Sequence, residues 1–230
     1  MSDTAQTVPK HLGLILDGNR RWAKERGAAA KDGHIAGYEN LKKIIDAAFD
    51  RNIAYVSTYI FSTENWQRTR PEVTFLLNLA LRMVTRDLQE LHEKGIKIVW
   101  LGSDERLNKR LIQALNKAVE TTKENTRGVL ALCFNYGGQQ EIVEAAQKLQ
   151  ADGAEITKEA IEAQLYGGTQ IPPIDFLIRT SGEHRISNFM LWRVAYSELY
   201  FTDVMWPDFS SVELDKALAE YAKRQRRFGA

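Results

Sequence analysis

Cysteine is nearly absent: the 230 residues contain one, Cys133. A single thiol cannot close an internal disulfide or furnish a cysteine-rich metal site, which points to a reducing compartment. It stands inside the apolar run VLALCF at 129–134, where a buried structural thiol is expected. Long hydrophobic runs are also missing. None approaches the roughly 20 residues of a membrane-spanning helix, and the polar MSDTAQTVPK at 1–10 lacks the apolar core of a signal peptide. Those ten residues are expected to be a disordered lead-in to a cytoplasmic domain over 11–230. Excess charge is lacking as well. Lys and Arg total 31 against 30 Asp and Glu, so the bulk field points to no polyanionic partner and no nucleic acid. No G-x-G-x-x-G or P-loop pattern occurs, which argues against a nucleotide-binding α/β protein. No repeat, low-complexity tract or linker divides the chain, and one domain is the default at this length.

What the chain does have is alternation. Short apolar runs rich in β-branched and aromatic residues read as strands: LGLIL at 12–16, IAYVSTYIF at 53–61, IKIVWL at 96–101, 129–134, IDFLI at 174–178 and LYF at 199–201. Helical periodicity fills most gaps. Leu41, Ile44, Ile45, Ala48 and Phe49 form one stripe, and Leu107, Leu111, Ile112, Leu115 and Val119 another. Strands apolar on both faces and separated by helices predict a single α/β domain with a central, mainly parallel six-stranded sheet flanked by helices. The stretch 71–94 reads as one helix whose first half is apolar well beyond a single stripe. Such a helix must be covered on more than one side. It is either a central core helix or the wall of a greasy cavity, and periodicity does not separate the two.

Chemistry is concentrated where strands end, which is where open α/β sheets bind ligands. After the first strand comes DGNRRWAK at 17–24. A helix starting near Asn19 would present free N–H groups and a positive dipole end. Gly18 permits close backbone approach, and Arg20 and Arg21 match phosphate oxygens. Asp17 would repel a bare diphosphate but suits one carrying Mg2+. The alternative is a plain turn leading into a solvated basic helix. His34 is either structural or part of the same site. The second strand runs into FSTENWQR at 61–68, which either N-caps the next helix ahead of Pro71 or lines the same rim. Asn65 there cannot act as a strong base but can orient a departing proton. The fifth strand ends in RTSGEHRISN at 179–188, a second anion site by composition. Glu198 stands among apolar and aromatic residues and needs an arginine or a metal as partner. Two phosphate sites, two acidic residues able to share a metal and an adjacent apolar helix together suggest two diphosphates with hydrocarbon tails.

These blocks resemble the cis-prenyltransferase family from His11 to Gly229. The resemblance is carried by DGNRRWAK at 17–24, GH at 33–34, FSTENWQR at 61–68, NYGGQQEI at 135–142, DFLIRTSGEHRISNFMLW at 175–192, AYSELYFTDVMWPDF at 195–209 and RRFG at 226–229. It implies a Mg2+-dependent transferase that condenses isopentenyl diphosphate with an allylic diphosphate in cis configuration, repeatedly, the product growing into a hydrophobic tunnel beside the helix at 71–94. It implies that Asp17 and Glu198 hold the metal. Gly18, Asn19, Arg20, Arg21 and His34 would cradle the allylic diphosphate, and Trp22 and Trp66 would flank the prenyl entrance. Ser62, Thr63, Glu64, Asn65 and Arg68 would form the neighbouring wall, with Asn65 and Asp17 catalytic. Arg179, Arg185, Ile186 and Ser187 would bind isopentenyl diphosphate. A homodimer, with the RRFG tail reaching the partner's site, and at most peripheral membrane contact through the product are also implied.

The chain departs from the family pattern at Ala30, where a basic residue is common and Lys31 is adjacent. Ile60 and Phe134 are bulkier than usual, which predicts a shortened tunnel and a product shorter than undecaprenyl. The rival reading, a non-catalytic partner subunit of a heteromeric prenyltransferase, conflicts with the presence of Asp17, Asn65, Arg179, Arg185 and Glu198.

Overall fold

The computed structural model describes residues 8–224. The first seven residues of the expected lead-in and the RRFG tail lie outside the described residues. In chain order the elements are β1 (His11–Ile15), α1 (Asn19–Glu25), α2 (Ala30–Asp50), β2 (Tyr55–Ser62), a 3-10 turn (Thr63–Gln67), α3 (Arg70–Arg86), α4 (Leu88–Glu93), β3 (Ile96–Leu101), α5 (Lys109–Thr122), β4 (Gly128–Tyr136), α6 (Gly138–Ala151), α7 (Lys158–Gln164), β5 (Phe176–Arg179), β6 (Glu198–Phe201) and α8 (Ser211–Lys223). Helix starts follow local chemistry. Asn108, Thr157 and Ser210 cap α5, α7 and α8 with side-chain oxygens, and Pro71 stands in the first turn of α3.

The strands form one sheet in the order β3-β4-β2-β1-β5-β6, and every pairing is parallel. Side chains alternate between its faces with the period of two that a strand imposes. Leu12 and Leu14, Leu130, Leu132 and Phe134, and Phe176 and Ile178 enter the main core with α2, α3, α5 and α8. Ile15, Ala131, Cys133 and Leu177 enter a smaller core closed by Ile171, Phe189, Met190 and Val194. Cys133 is fully buried, and desolvation raises its thiol pKa well above the ordinary value. The strand order runs outward from β1 in both directions, so β1 is the switch point beside which a crevice opens at the carboxyl ends.

One element differs from its expected form. The stretch 71–94 is two helices, not one: α3 and α4 meet at Asp87. Aspartate competes with the helix through its own side chain and prefers caps, while the apolar periodicity continues on both sides and masked the break. The question left open for the first half is settled by geometry. Val73, Ala80, Met83 and Val84 are buried, and Leu76, Leu79, Ala80 and Met83 face a cavity, so α3 serves both core and cavity.

Candidate active site

The site forms where β1, β2 and β5 end. Beyond β1, Gly18 takes φ +106°, and a Cβ there would lie 2.8 Å from Ser181 Cβ, so the turn requires glycine. Its N–H donates to Asp17 Oδ1 at 2.7 Å. The other oxygen, Oδ2, accepts from Arg179 Nη2 at 2.7 Å. Arg179 ends β5 and is 4% exposed. Its Nη1 donates to the Arg185 carbonyl at 2.6 Å and to Ser187 Oγ at 2.7 Å, while its Nε has no partner. Asn19 Nδ2 donates to the Leu16 carbonyl, and its buried Oδ1 is unpaired.

The end of β2 supplies the facing wall. In the 3-10 turn, Ser62 N–H donates to Asn65 Oδ1 at 3.1 Å, the reciprocal cap that fixes the Asn65 side chain. Burial works to raise the Glu64 pKa, but hydrogen bonds from its own amide, Asn188, Ser62 and Thr63 outweigh it and hold the carboxyl below the usual range. Arg68 donates to Glu72 at 2.9 Å, and Arg20 and His34 stand 3.8 and 3.5 Å from the same carboxylate. Burial also opposes ionisation of Glu72, and the Arg68 charge together with its hydrogen bond, then Arg20 and His34, win, so its pKa is lowered. Burial first, then the Arg68 charge, lowers the His34 pKa against the pull of Glu72, which keeps the imidazole neutral near pH 7. Arg21 hydrogen-bonds Ser181 and lies 3.3 Å from Glu183, and Arg185 pairs with Glu183 as well. Five arginines thus surround the rim, each held by an internal carboxylate.

Below this rim opens a cavity of about 610 Å³ whose deep wall is Tyr38, Leu41, Ile60, Leu76, Leu79, Ala80, Met83 and Trp206. A second lobe of about 810 Å³ lies over the start of α1, with Gly18, Arg20, Arg21, Lys24 and Ala30 around it. The two lobes share Asp17, Asn19, His34, Arg68 and Arg185. One lobe is cationic and the other greasy, which suits an amphiphile with an anionic head.

Asp17, Asn19, His34, Ser62, Glu64, Asn65, Arg68, Arg179, Arg185 and Ser187 therefore converge on one cavity. Several expected residues do not. Trp22 points its indole to Asp208 (2.7 Å) and stacks on Arg26. Trp66 packs edge-on against Phe61, donates to Asn135 at 2.7 Å and lies under Arg106. Neither they nor Thr63 line the cavity. Ile186 packs into the smaller core. Phe134 is buried against Phe61 in the main core, so only Ile60 of the two bulky residues narrows the cavity. Ala30 lines the cationic lobe, whereas Lys31 is exposed and is not among its lining residues.

Glu198 is the largest departure. It opens β6 opposite Phe176, level with Leu12 of β1. That is the amino end of the sheet, roughly 16 Å along the strands from Asp17 at a rise of about 3.3 Å per residue. Its carboxylate takes Arg224 at 3.0 Å. Within one chain it cannot share an ion with Asp17, because a residue at the start of a parallel strand lies opposite the carboxyl rim. Among the described residues no three His, Cys, Asp or Glu side chains gather as metal ligands. Asp17, a rim carboxylate 34% exposed, fits Mg2+ in the form that ion prefers, with one protein carboxylate completed by phosphate oxygens and water. Glu72, Glu183 and Asn188 are site residues that sequence reasoning left unassigned. Glu72 carried one signal, its spacing of four from Arg68.

Comparison with known proteins finds relatives over nearly the whole chain. Residues 15–229 match the prenyltransferase family model for undecaprenyl diphosphate synthase. The chain is 42% identical to isoprenyl transferase 2 of Corynebacterium glutamicum, covering 98% of this chain and 96% of the relative. It is 41% identical to a ditrans,polycis-undecaprenyl-diphosphate synthase, (2E,6E)-farnesyl-diphosphate specific, of Xylella fastidiosa, covering 97% and 90%. Its fold superposes on the crystal structure of lavandulyl diphosphate synthase from Lavandula x intermedia, in complex with dimethylallyl diphosphate, with a TM-score of 0.93 at 35% identity, covering 99% and 100%.

Proposed function

The chain belongs to the undecaprenyl diphosphate synthase family of prenyltransferases, and from that premise we propose that it condenses isopentenyl diphosphate with an allylic prenyl diphosphate, such as farnesyl or geranyl diphosphate, in cis configuration, repeating the step to build a polyprenyl diphosphate. The observation that carries the proposal is the continuity of an arginine-ringed rim with an apolar cavity of about 610 Å³. The allylic head sits over the start of α1, with Gly18, Asn19, Arg20, Arg21, His34 and Arg68, and its tail lies along α2 and α3. Isopentenyl diphosphate sits on Arg179, Arg185 and Ser187, between Asp17 and the Asn65 wall.

Condensation breaks the allylic C–O bond, forms a C–C bond from the isopentenyl double bond, and releases a proton. The arginines stabilise charge on the departing diphosphate, a preorganised electrostatic role. Asp17, with diphosphate oxygens, would hold Mg2+, which supplies Lewis-acid neutralisation of that leaving group. Asn65 is too weakly basic to keep the proton, and its Oδ1 already takes the Ser62 N–H. It orients the proton toward the released diphosphate. Glu198 would meet a metal only from a second copy of the chain, so its metal role and the homodimer stand or fall together. No helix among the described residues is long and apolar enough to cross a membrane. A cytoplasmic enzyme touching the bilayer through its product fits.

The test is product analysis with radiolabelled isopentenyl diphosphate, farnesyl diphosphate and Mg2+. A polyprenyl diphosphate product is expected, and a folded chain that makes none refutes the proposal. Ile60 narrows the cavity, so Ile60→Ala is expected to lengthen the product. An unchanged length would show that Ile60 does not set the limit.

A further inference from the structure

The loop after β5 is held in an unusual backbone conformation. Ser187, Asn188 and Met190 take φ of +47°, +65° and +41°. Non-glycine residues rarely occupy this left-handed region, and asparagine does so most readily. Such clusters persist only where surrounding contacts over-determine them. Here the contacts converge on Asn188. Its carbonyl accepts the Gly138 N–H at 2.8 Å, and its Oδ1 accepts the Gln139 N–H at 2.8 Å. Those are the first free N–H groups of α6, so Asn188 caps that helix from a distant segment. Its Nδ2 donates to Glu64 at 3.0 Å. The seat is so close that a Cβ on Gly137 would lie 3.1 Å from Asn188 Nδ2, and one on Gly138 would lie 2.8 Å from its carbonyl oxygen.

Asn188 thus ties the end of β4 to the end of β2, and it adjoins the end of β5. The residue before it, Ser187, gives its Oγ to Arg179, and Arg185 gives its carbonyl to the same Nη1. The loop has one further tie in the Tyr59 hydroxyl, 3.3 Å from the Ser187 carbonyl.

We infer that Asn188 is a positioning residue for the second substrate: by fixing the Arg185–Ser187 segment against Glu64 and the start of α6, it sets the orientation of the Arg179 guanidinium toward isopentenyl diphosphate. This rests on the condensation proposed above. It assigns Asn188 no contact with the reacting atoms. The allylic head, gathered mainly by α1, α2 and Arg68, does not depend on this loop to the same degree.

Three variants test it. Asn188→Gly keeps a backbone suited to positive φ and removes only the side chain. It is expected to raise KM for isopentenyl diphosphate by about tenfold or more, the scale of a lost hydrogen bond to a charged group. KM for farnesyl diphosphate should stay within about twofold, since uniform binding to the other head is untouched. Asn188→Asp opposes a carboxylate to Glu64 and should raise the isopentenyl KM further. Adding Glu64→Gln to that variant restores a donor–acceptor pair in reversed sense, and most of the KM should return. A merely structural loop predicts no such recovery and no difference between substrates. With the wild type active, an unchanged isopentenyl KM in Asn188→Gly, an equal rise for both substrates, or no recovery in the double variant would each overturn the inference alone. A wild type that consumes no isopentenyl diphosphate would remove the proposed function and this inference with it.

Discussion

Two buried or partly buried arginine–carboxylate pairs link different elements of the fold, and they differ in how completely they are satisfied. Arg193 and Glu141 are 3% and 1% exposed. Arg193 spends Nε on the Ile171 carbonyl, Nη1 on Glu141 at 2.8 Å and Nη2 on the Tyr166 and Gly168 carbonyls. Glu141 also accepts from the Tyr136 hydroxyl and the Tyr166 N–H. Arg179 and Asp17 pair at 2.7 Å, with Arg179 equally buried but Asp17 34% exposed to the cavity rim. Arg179 Nε is unpartnered. A buried pair is tolerated when its remaining hydrogen-bonding groups are met as well, and the first pair comes close: every nitrogen of Arg193 and both oxygens of Glu141 have a partner. The second does not: Arg179 Nε is unmet and Asp17 lines an open cavity, an arrangement suited to the phosphate and metal proposed above.

The largest effect should separate the pairs by readout. Asp17→Ala is expected to lower kcat by at least about 100–1000-fold, the scale of removing a transition-state charge stabiliser. Its melting temperature should move less than that of Glu141→Ala, because Arg179 keeps Arg185 and Ser187 as partners. Near-normal turnover of Asp17→Ala with Mg2+ would end its proposed metal role. Glu141→Ala leaves Arg193 buried without its counter-charge. The expected cost is about 3–5 kcal/mol, or about 6–20 °C in the melting temperature for a domain of this size. Calorimetry alongside steady-state kinetics reads both. If Glu141→Ala melted normally and lost turnover, the comparison would be reversed.

Titration gives the next contrast, on the structural side. His11 lies on β1, with Nδ1 2.8 Å from the Pro172 carbonyl and Nε2 2.7 Å from Ser57 Oγ. A carbonyl only accepts, so Nδ1 carries the proton and Nε2 accepts from the serine hydroxyl. Burial lowers its pKa to about 4, against a partial rise from the Pro172 hydrogen bond. The unfolded chain, with an ordinary His pKa of about 6.5, binds the proton first as pH falls. The stability is therefore complete above pH 6.5 and is lost between there and pH 4. The amount is about 3 kcal/mol. Denaturant melts between pH 7 and 4 should show a steeper loss in the wild type than in His11→Gln. Equal slopes would mean His11 is not the titrating group. His34 contributes with the same sign, its pKa also lowered, so His11→Gln flattens the slope without abolishing it.

Much of this was legible before the fold. Runs such as VLALCF, apolar on both faces, already demand a sheet covered twice, and the alternation with helices demands parallel strands. Asp17 and Arg179 were findable because each directly follows strand residues, so chain position alone put them on the rim. Glu198 shows the same rule failing when set aside: it precedes its strand, and in a parallel sheet that means the opposite end. Its assignment beside Asp17 came from pooling the acidic residues near strands, and from the resemblance, without regard to strand direction. Trp22 and Trp66 carried no signal of facing, because a short helix and a 3-10 turn have no periodicity long enough to fix one. Asn188 was unreadable for a different reason. Its function lies in ties to Glu64, Gly138 and Gln139, 124, 50 and 49 positions away by the numbering, and only tertiary contact brings those ends together.

The finest distinction between the pairs keeps the charge and removes the fork. Lysine offers one compact ammonium where arginine offers a planar set of donors. In Arg179→Lys the ammonium can serve Asp17 or the Ser187 side, but not both in their present directions. Asp17 is 34% exposed, so solvent can reach the carboxylate if the ammonium leaves it, and stability should fall by less than in Arg193→Lys. The loss should appear as about a tenfold rise in KM for isopentenyl diphosphate, equivalent to about 1.4 kcal/mol of recognition. In Arg193→Lys the ammonium's three protons face four acceptors: Glu141 and the carbonyls of Ile171, Tyr166 and Gly168. At least one buried acceptor is left unmet, which costs about 1–3 kcal/mol of stability, with turnover per folded molecule close to wild type. The same chemical change then reads as binding in one pair and as folding in the other. If Arg179→Lys instead lowered the melting temperature and spared KM, the pair at the rim would be as structural as the Arg193–Glu141 pair, and its unmet Nε would have lost its meaning.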